Sequence, residues 1–480
     1  MAKKKENNSD TDIDIDEILK RARKAQSYIE TFSQREVDEL AAAIVYIISR
    51  ENIALDLAQL AYNETGMGTV ESKFAKLTKK IPGCFYDVKK VKTVGVIDSN
   101  SQTGITRIAK PIGVISAIIP CTNPEATPVF KGMLALRGRN AVIFAPHPRS
   151  KKTTNRVVKI MREVLKKNGV PVDLFICIQN PSKEITQEIM RKCDLTMATG
   201  SGDMVKVAYS SGKPSYGVGA GNAPIVVDET ADILDAAHKI KIGKIGDNAS
   251  GCSAENSLII HESIYETLVE ALKSEGARLA SKEEKDRLQK IMWINGRLSP
   301  EIIAQPVNKI AQKAGISISE NTAFLMVEEE GIGKGYPFSG EKLSLVLTLY
   351  KYNNFNDAIN KVNLITEFNG AGHSCGIHSY NKEHILKLAL NTKTSRVTVR
   401  QPHGAANSGN WFNGLAFTFS LGCGSWGGNI ASENITQKHY INITRLAEPI
   451  HRIEPSEKDI YCDLIDNMNI LSYDDYQKII

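Results

Sequence analysis

The sequence predicts an α/β protein in which parallel sheets are covered by helices, and three observations carry that expectation. Past Gly113, short continuous apolar runs alternate with stretches of amphipathic helical spacing, the pattern of strands buried on both faces. A helical region precedes this alternation, and a pair of β-rich runs near 93–109 separates the two. The 480 residues are 42% hydrophobic and 24% charged, enough for a large core and two or three domains.

Residues 1–12 are polar and mixed in charge and read as a disordered tail. Ile15, Ile18, Leu19, Ala22 and Ile29 then recur at helical spacing. Ser33 and Glu36 form a capping signal ahead of a second helix through Ile48, and a third should end near Gly66 and Gly68. Runs 93–97 and 105–109 flank a polar loop over 98–104, a hairpin suited to pairing with another subunit. Strands are expected at 114–119, 141–145, 174–178, 195–198, 224–227, 257–260 and 343–349, with helices between them and a helix over 356–368. The segments 217–222, 370–376 and 421–429 are glycine-rich and read as tight turns or close backbone approaches.

Lys and Arg outnumber Asp and Glu by 60 to 54, and the resulting +6 is too dilute for a nucleic-acid footprint. It supports only a mild preference for anionic ligands. The eight cysteines are scattered singly, without zinc-ligand spacing, so no metal is expected and the thiols read as reduced. The N-terminus lacks the apolar core of a signal peptide, and nowhere do 18 apolar residues run together. A cytoplasmic protein without a membrane partner is expected.

Within this frame one cysteine stands apart. Cys252, in Asp247-Asn248-Ala249-Ser250-Gly251-Cys252-Ser253-Ala254-Glu255-Asn256, has small polar neighbours and precedes an apolar strand. Gly251 and Ser253 leave room for a substrate at the sulfur, so it is either a nucleophile or an inert thiol. In parallel sheets ligands gather in loops beyond the carboxyl ends of strands, which singles out Asn123, Pro146-His147-Pro148 and Thr199-Gly200-Ser201-Gly202. The last opens a helix, as a pyrophosphate-cradling turn or a helix-capping turn. Asn123 is a polar group for a site or a cap for the helix that follows.

Eight segments in this order resemble one family: Pro120-Cys121-Thr122-Asn123-Pro124, Phe144-Ala145-Pro146-His147-Pro148-Arg149, Ala198-Thr199-Gly200-Ser201-Gly202, Tyr209-Ser210-Ser211-Gly212-Lys213-Pro214, Gly217-Val218-Gly219-Ala220-Gly221-Asn222, the Cys252 segment, Gly372-His373-Ser374, and Leu421-Gly422-Cys423-Gly424-Ser425-Trp426-Gly427. From about residue 13 to about 450 the chain resembles the aldehyde dehydrogenase superfamily, in its CoA-acylating branch. The resemblance implies a Rossmann-like cofactor-binding domain over 13–92 and 112–228 and an α/β catalytic domain over 229–429. It also implies a small oligomerisation element from 93–111 and 430–450, a C-terminal tail over 451–480, and a homodimer or homotetramer. A fused iron-dependent alcohol dehydrogenase domain is not expected.

The resemblance also assigns roles. Cys252 is the nucleophile, and Asn123 with the Cys252 backbone N–H the oxyanion donors. Thr199, Gly200, Ser201 and Gly202 lie at the pyrophosphate of NAD or NADP, with Pro146, His147 and Gly219 also at the cofactor and Glu341 at the nicotinamide ribose. Hydrolytic members carry a glutamate base in the segment that corresponds to Gly217–Asn222, whereas this chain offers Gly217 there. Without that base the implied acyl acceptor is coenzyme A, and the product an acyl-CoA. His373 would orient substrate or CoA, or simply be a satisfied hydrogen-bonding residue. Arg396, Arg400 and His403, with Asn407 and Asn410, would meet the distal end of a short aldehyde or form a solvated loop. The lean is toward an anionic aldehyde, sulfoacetaldehyde or succinate semialdehyde, with acetaldehyde next. The rivals are a hydrolytic enzyme using another base such as Glu255, and an inactive scaffold relative.

Overall fold

The computed structural model describes residues 14–200 and 202–479; the whole of the tail expected over 1–12 and Ser201 therefore lie outside the described residues. Helices come first, for the reasons the sequence carries. Ile15–Ile29 is capped by the Asp14 carboxylate, which accepts from the N–H groups of Asp16 and Glu17. Gln34–Ile48 starts with the Ser33–Glu36 capping box, and Glu51–Thr65 stops at Gly66, whose φ of 65° suits glycine. A continuous helical stretch follows as Val70–Ala75, a π-helical turn Lys76–Lys80, and Ile81–Val88. Such a turn inserts an extra residue and redirects side chains, a device common at functional sites.

Strands β1 (Gly95–Asn100) and β2 (Ile105–Lys110) form the expected hairpin, with a shorter turn than the 98–104 loop. Cross-strand contacts of Asp98 with Arg107 and of Ser99 with Thr106 continue the pairing into that segment.

The first large sheet contains β3 (Val114–Ile119), β4 (Ala141–Pro146), β5 (Phe175–Cys177), β6 (Leu195–Thr199) and β7 (Ser215–Val218), all parallel in the order β5-β4-β3-β6-β7. Strands β3 and β4 are buried throughout, which explains their uninterrupted apolar sequence. The order reverses between β3 and β6, so the loop with Asn123 and the loop Thr199–Gly202 open side by side. Strand β7 is absent from the sequence expectation, which sees only glycines there. Its Gly217 lies against the helix Gly202–Tyr209, where a Cβ would come within 2.5 Å of Val205 Cγ1.

The second sheet comprises β8 (Ala223–Val227), β9 (Glu255–His261), β10 (Ala277–Leu279), β13 (Phe324–Glu328), β14 (Val346–Tyr352), β15 (Cys375–His378) and β16 (Val397–Val399). Two short antiparallel strands, β11 (Trp293–Ile294) and β12 (Arg297–Leu298), stand outside it. The large sheet is parallel in the order β10-β13-β14-β9-β8-β15-β16. Strand β8, which the sequence groups with residues 112–228, thus belongs to the second sheet. Side chains alternate between its two faces: Ile225, Val227, Leu258 and Ile260 enter one core, Val226 and Ile259 the other. Strand β14 starts three residues later than expected because Leu343 has a positive φ of 41° and Lys342 N–H donates to Asn256 Oδ1, holding 342–343 out of the ladder.

Residues Val96–Ile108 and Ile443–Ile480 form a compact unit of their own, and the rest of the chain forms the other. The smaller unit contains a three-stranded sheet completed by β17 (Asn442–Ala447), in the order β1-β2-β17. Among the described residues no helix is long and apolar enough to cross a membrane.

Candidate active site

Strands β9, β8 and β15 are neighbours, so the segments that enter them meet at one edge of the second sheet. Those segments carry Cys252, Gly221 and His373 respectively. Gly221 packs on the cysteine backbone so closely that a Cβ would lie 1.8 Å from the Cys252 carbonyl oxygen. The Cys252 sulfur lies 3.1 Å from His373 Nε2. This is a thiol–imidazole pair within hydrogen-bond reach.

The turn before the cysteine is strained. Asp247, Asn248 and Ala249 have φ of 50°, 52° and 56°, three successive non-glycine residues in the left-handed region. Each costs on the order of 1–3 kcal/mol, so the surroundings must impose the conformation. They do so through Asp247, whose carboxylate accepts from Thr69 N–H at 2.8 Å and Ser250 Oγ at 2.6 Å and pairs with Lys76. Asn248 Nδ2 donates to Gly68 O at 3.0 Å. Burial would raise the Asp247 pKa, but Lys76 and Lys73 outweigh it and hold the carboxylate below its usual range.

Lys76 also donates to Asn123 Oδ1 at 2.5 Å. An ammonium can only donate, so it takes the carbonyl end of the amide and leaves Nδ2 as the donor for a ligand. One side chain thereby ties the Asn123 loop to the turn that presents Cys252. Lys73, one turn earlier, donates to Thr122 O at 3.0 Å and faces the buried Glu125 at 3.8 Å. Sequence reasoning missed these lysines. The signal was there: Lys73, Lys76 and Lys80 share a helical face with Leu77, Ile81 and Cys84, where a surface helix would bury only apolar groups.

Behind His373 a polar relay fixes its ring. His373 Nδ1 lies 2.7 Å from Ser374 Oγ, to which Asn407 Nδ2 donates at 2.9 Å while reaching Ser253 Oγ at 3.0 Å. Arg396 donates to Asn407 Oδ1 at 3.1 Å and to His373 O at 2.8 Å. Burial, reinforced by Arg396 and His403, holds the His373 pKa well below the ordinary histidine value, so the imidazole is neutral. Burial, aided by Glu341 and Cys423, pushes the Cys252 thiol up to about 12. A protonated thiol thus faces a neutral base.

The residues expected at the distal end of an aldehyde divide differently. His403 is buried, with Nδ1 2.8 Å from Ser253 O and its N–H donating to Glu255 Oε1 at 2.7 Å. Arg400 donates to Ser379 O at 2.7 Å and lies over the Tyr380 ring at 4.4 Å. Both are held by protein partners, His403 beneath the cysteine loop and Arg400 at the far end of β15 and β16. Glu255 packs against Gly243 and Gly404 and receives the His403 and Gly404 N–H groups. A side chain at Gly217 would run into Val205 and Tyr209, so the position named for the missing base faces the first sheet's helix; the whole segment 217–222 nevertheless carries no carboxylate.

The residues expected at a dinucleotide occupy the other side. Thr199 ends β6, with Oγ1 3.3 Å from Ser420 Oγ, and Gly200 leads into the helix beginning at Gly202; Ser201 is outside the described residues. A Cβ at Gly202 or Gly219 would meet nothing within 4 Å, so the backbone there is open to a ligand. Pro146 ends β4, and His147 Nδ1 accepts from Arg149 N–H at 3.1 Å. Glu341 accepts from Gly221 N–H at 2.8 Å, and burial pushes its pKa up to about 8. An open helix N-terminus at a sheet switch point, with a carboxyl group near the cysteine backbone, fits a nicotinamide dinucleotide.

Known proteins resemble this chain over nearly its whole length. The model of the aldehyde dehydrogenase family matches residues 5–296. A sulfoacetaldehyde dehydrogenase of Acholeplasma sp is 45% identical over 453 residues, 93% of each chain. An acetylating aldehyde dehydrogenase from Geobacillus thermoglucosidasius superposes with a TM-score of 0.87 at 36% identity, over 92% of this chain and 97% of that one. A propionaldehyde dehydrogenase of Rhodopseudomonas palustris, solved with bound CoA and an acylated cysteine, superposes with a TM-score of 0.81 at 26% identity, over 90% and 96% of the two chains. With its nucleophile-like cysteine, its paired histidine and its dinucleotide-type switch point all present, the chain belongs to the aldehyde dehydrogenase family.

Proposed function

We propose that this protein oxidises a short anionic aldehyde, sulfoacetaldehyde first, to its acyl-CoA, using NAD or NADP and coenzyme A, through a thioester on Cys252. The observation that carries the reading is the 3.1 Å contact between Cys252 and His373, in a site where the segment 217–222 supplies no carboxylate to activate water. The 45% identity to a sulfoacetaldehyde dehydrogenase supports the substrate. Succinate semialdehyde and acetaldehyde follow.

His373 Nε2 takes the thiol proton as Cys252 Sγ attacks the aldehyde carbon. The oxyanion of the resulting thiohemiacetal is received by Asn123 Nδ2, oriented by Lys76, and by the Cys252 backbone N–H. Thr199–Gly202 and Glu341 would hold NAD or NADP, which would supply the acceptor for the hydride that leaves the former aldehyde carbon. The acyl group is then a thioester on Cys252, and His373 sheds its proton to solvent. His373 next deprotonates the CoA thiol, which attacks the thioester carbonyl and restores the Cys252 thiol. Burial raises the Glu341 pKa to about 8, and its carboxyl group is engaged by the Gly221 N–H. The same residues run the reverse reduction.

We assign a cofactor-binding half to 13–92 and 112–228 without strand β8, and a catalytic half to 229–429 together with β8. We place the protein in the cytoplasm, as a homodimer or homotetramer assembled through 93–111 and 430–450. Exposed apolar side chains such as Val96 and Leu446 support that surface. The test is turnover of sulfoacetaldehyde with and without CoA. Sulfoacetyl-CoA must accumulate only with CoA; steady NAD(P)H formation in its absence would sink the acylating mechanism.

A further inference from the structure

Three lysines face inward from the helical stretch 70–88, and two of them have partners that define their work. Lys73 is bound to Thr122 O beside Glu125, and Lys76 to Asn123 and Asp247. Lys80, the last residue of the π-helical turn, has no carboxylate within ion-pair distance among the described residues. Its ammonium contacts Ser408 Oγ and lies 4.8 Å from the centre of the Phe419 ring. Ser408 adjoins Asn407 of the His373 relay, and Phe419 adjoins Ser420, which touches Thr199. Lys80 is thus at the far end of the same π-helical turn as Lys76, the lysine that orients the oxyanion donor.

We propose that Lys80 is the specificity residue that holds the anionic end of the aldehyde. The proposal rests on the function proposed above and names the side chain that selects its substrate. In a two-carbon sulfonated aldehyde the sulfur is two bonds from the reacting carbon, so its anchor must lie near the oxyanion donor. The other cations do not offer themselves. Arg400 is bound at Ser379 and Tyr380, and the donors of Arg396 are directed at His373 O, Asn407 and Asn434. Burial above all, opposed by Cys84 and Cys252 and aided by Lys76, brings the Lys80 pKa down to about 8. A sulfonate would supply the missing counter-charge through a charge-assisted hydrogen bond.

The experiment compares Lys80→Met, Lys80→Gln and Lys80→Arg with the wild type on sulfoacetaldehyde, succinate semialdehyde and propionaldehyde, at saturating CoA and cofactor. In the two neutral variants the ratio of kcat/KM for the anionic aldehydes to that for propionaldehyde falls roughly 10- to 100-fold, whereas Lys80→Arg retains most of it. A ratio within threefold of wild type in both neutral variants overturns the proposal, because a merely structural role lowers all three substrates together. Ethanesulfonate, tested on the wild-type enzyme, inhibits competitively against propionaldehyde; failure to inhibit overturns the proposal even if the variants do not fold. If succinate semialdehyde is the better substrate and the neutral variants lose it, Lys80 keeps its role and sulfoacetaldehyde does not.

Discussion

Replacing His373 by Ala isolates the chemistry of the cysteine. With burial pushing the Cys252 thiol up to about 12, a site without a base at pH 7.5 holds roughly 3 thiolates per 10⁵ molecules. On the proposed mechanism His373, neutral and 3.1 Å from the sulfur, takes the proton as the carbon–sulfur bond forms, so attack does not wait for the rare thiolate. Water entering the vacated space will restore part of the thiol acidity. The expected loss is therefore about 10³-fold, or about 4 kcal/mol of barrier. The measurement is the rapid burst of NAD(P)H on mixing enzyme, cofactor and aldehyde without CoA, which reports acylation alone. In His373→Ala the burst rate falls about 10³-fold and climbs tenfold per pH unit from pH 7 to 9, since hydroxide must now generate the thiolate. Imidazole in the buffer restores part of it. A burst within tenfold of wild type, with only CoA-dependent turnover slowed, would refute the role in activating Cys252 and leave His373 a function in deacylation alone.

Other expectations follow from the same geometry. Gly221→Ala places a Cβ 1.8 Å from the Cys252 carbonyl oxygen, so the backbone must shift. We expect at least a 10²-fold loss of kcat with a melting temperature within a few degrees of wild type, an effect of misplacing the nucleophile; unchanged kcat would show that the loop relaxes freely. Asp247→Asn removes the charge that faces Lys76 and Lys73 and pins the left-handed turn. Breaking a buried pair this way costs about 3–5 kcal/mol, to be read from urea melts, and a loss below 1 kcal/mol would mean that the turn is held by other contacts. Stability should also fall with acid. His373, His378 and His403 are buried with pKa values depressed by desolvation, the latter two to about 4. The unfolded chain binds their protons first as pH drops below about 6.5, so their stabilisation is complete above that value and is lost on going down. The three histidines alone would cost roughly 3–4 kcal/mol per pH unit between pH 6 and 5, but Glu255 and Glu341, raised to about 7 and about 8, carry about two protons in the folded chain over the same range, which leaves a net loss of roughly 1 kcal/mol per unit. Urea midpoints that stay level from pH 7 to 5 would contradict this.

Much of the fold was legible because its causes are local. The Ser33–Glu36 box, the stop at Gly66 and the apolar runs of β3 and β4 each follow from a few adjacent residues. Strand β7 and the start of β14 were not, because each depends on a distant partner: the helix against Gly217, and Asn256 reaching Lys342. The site divides in the same manner. Cys252, Asn123 and His373 lie in segments that carry the family resemblance, whereas Arg400 and His403 entered through the polar segment that the resemblance brings to the aldehyde's distal end. The structure holds Arg400 at Ser379 and packs His403 against Ser253 and Glu255.

By itself the sequence determined the alternation of strands and helices, the candidate nucleophile in its small-residue loop and the lack of a carboxylate over 217–222. All of these are properties of composition within a dozen residues. Only the tertiary structure decided that His373, 121 positions after Cys252, stands at its sulfur, and that Lys76 joins Asn123 to the strained turn at Asp247. The physical reason lies in the strand order. In the second sheet β15 lies beside β8 although strands β9 to β14 come between them in the chain, so the residues that precede β8, β9 and β15 converge on one edge. Burial at that edge, a property of the folded chain alone, raises the thiol and lowers the imidazole, so both rest neutral with the proton on sulfur.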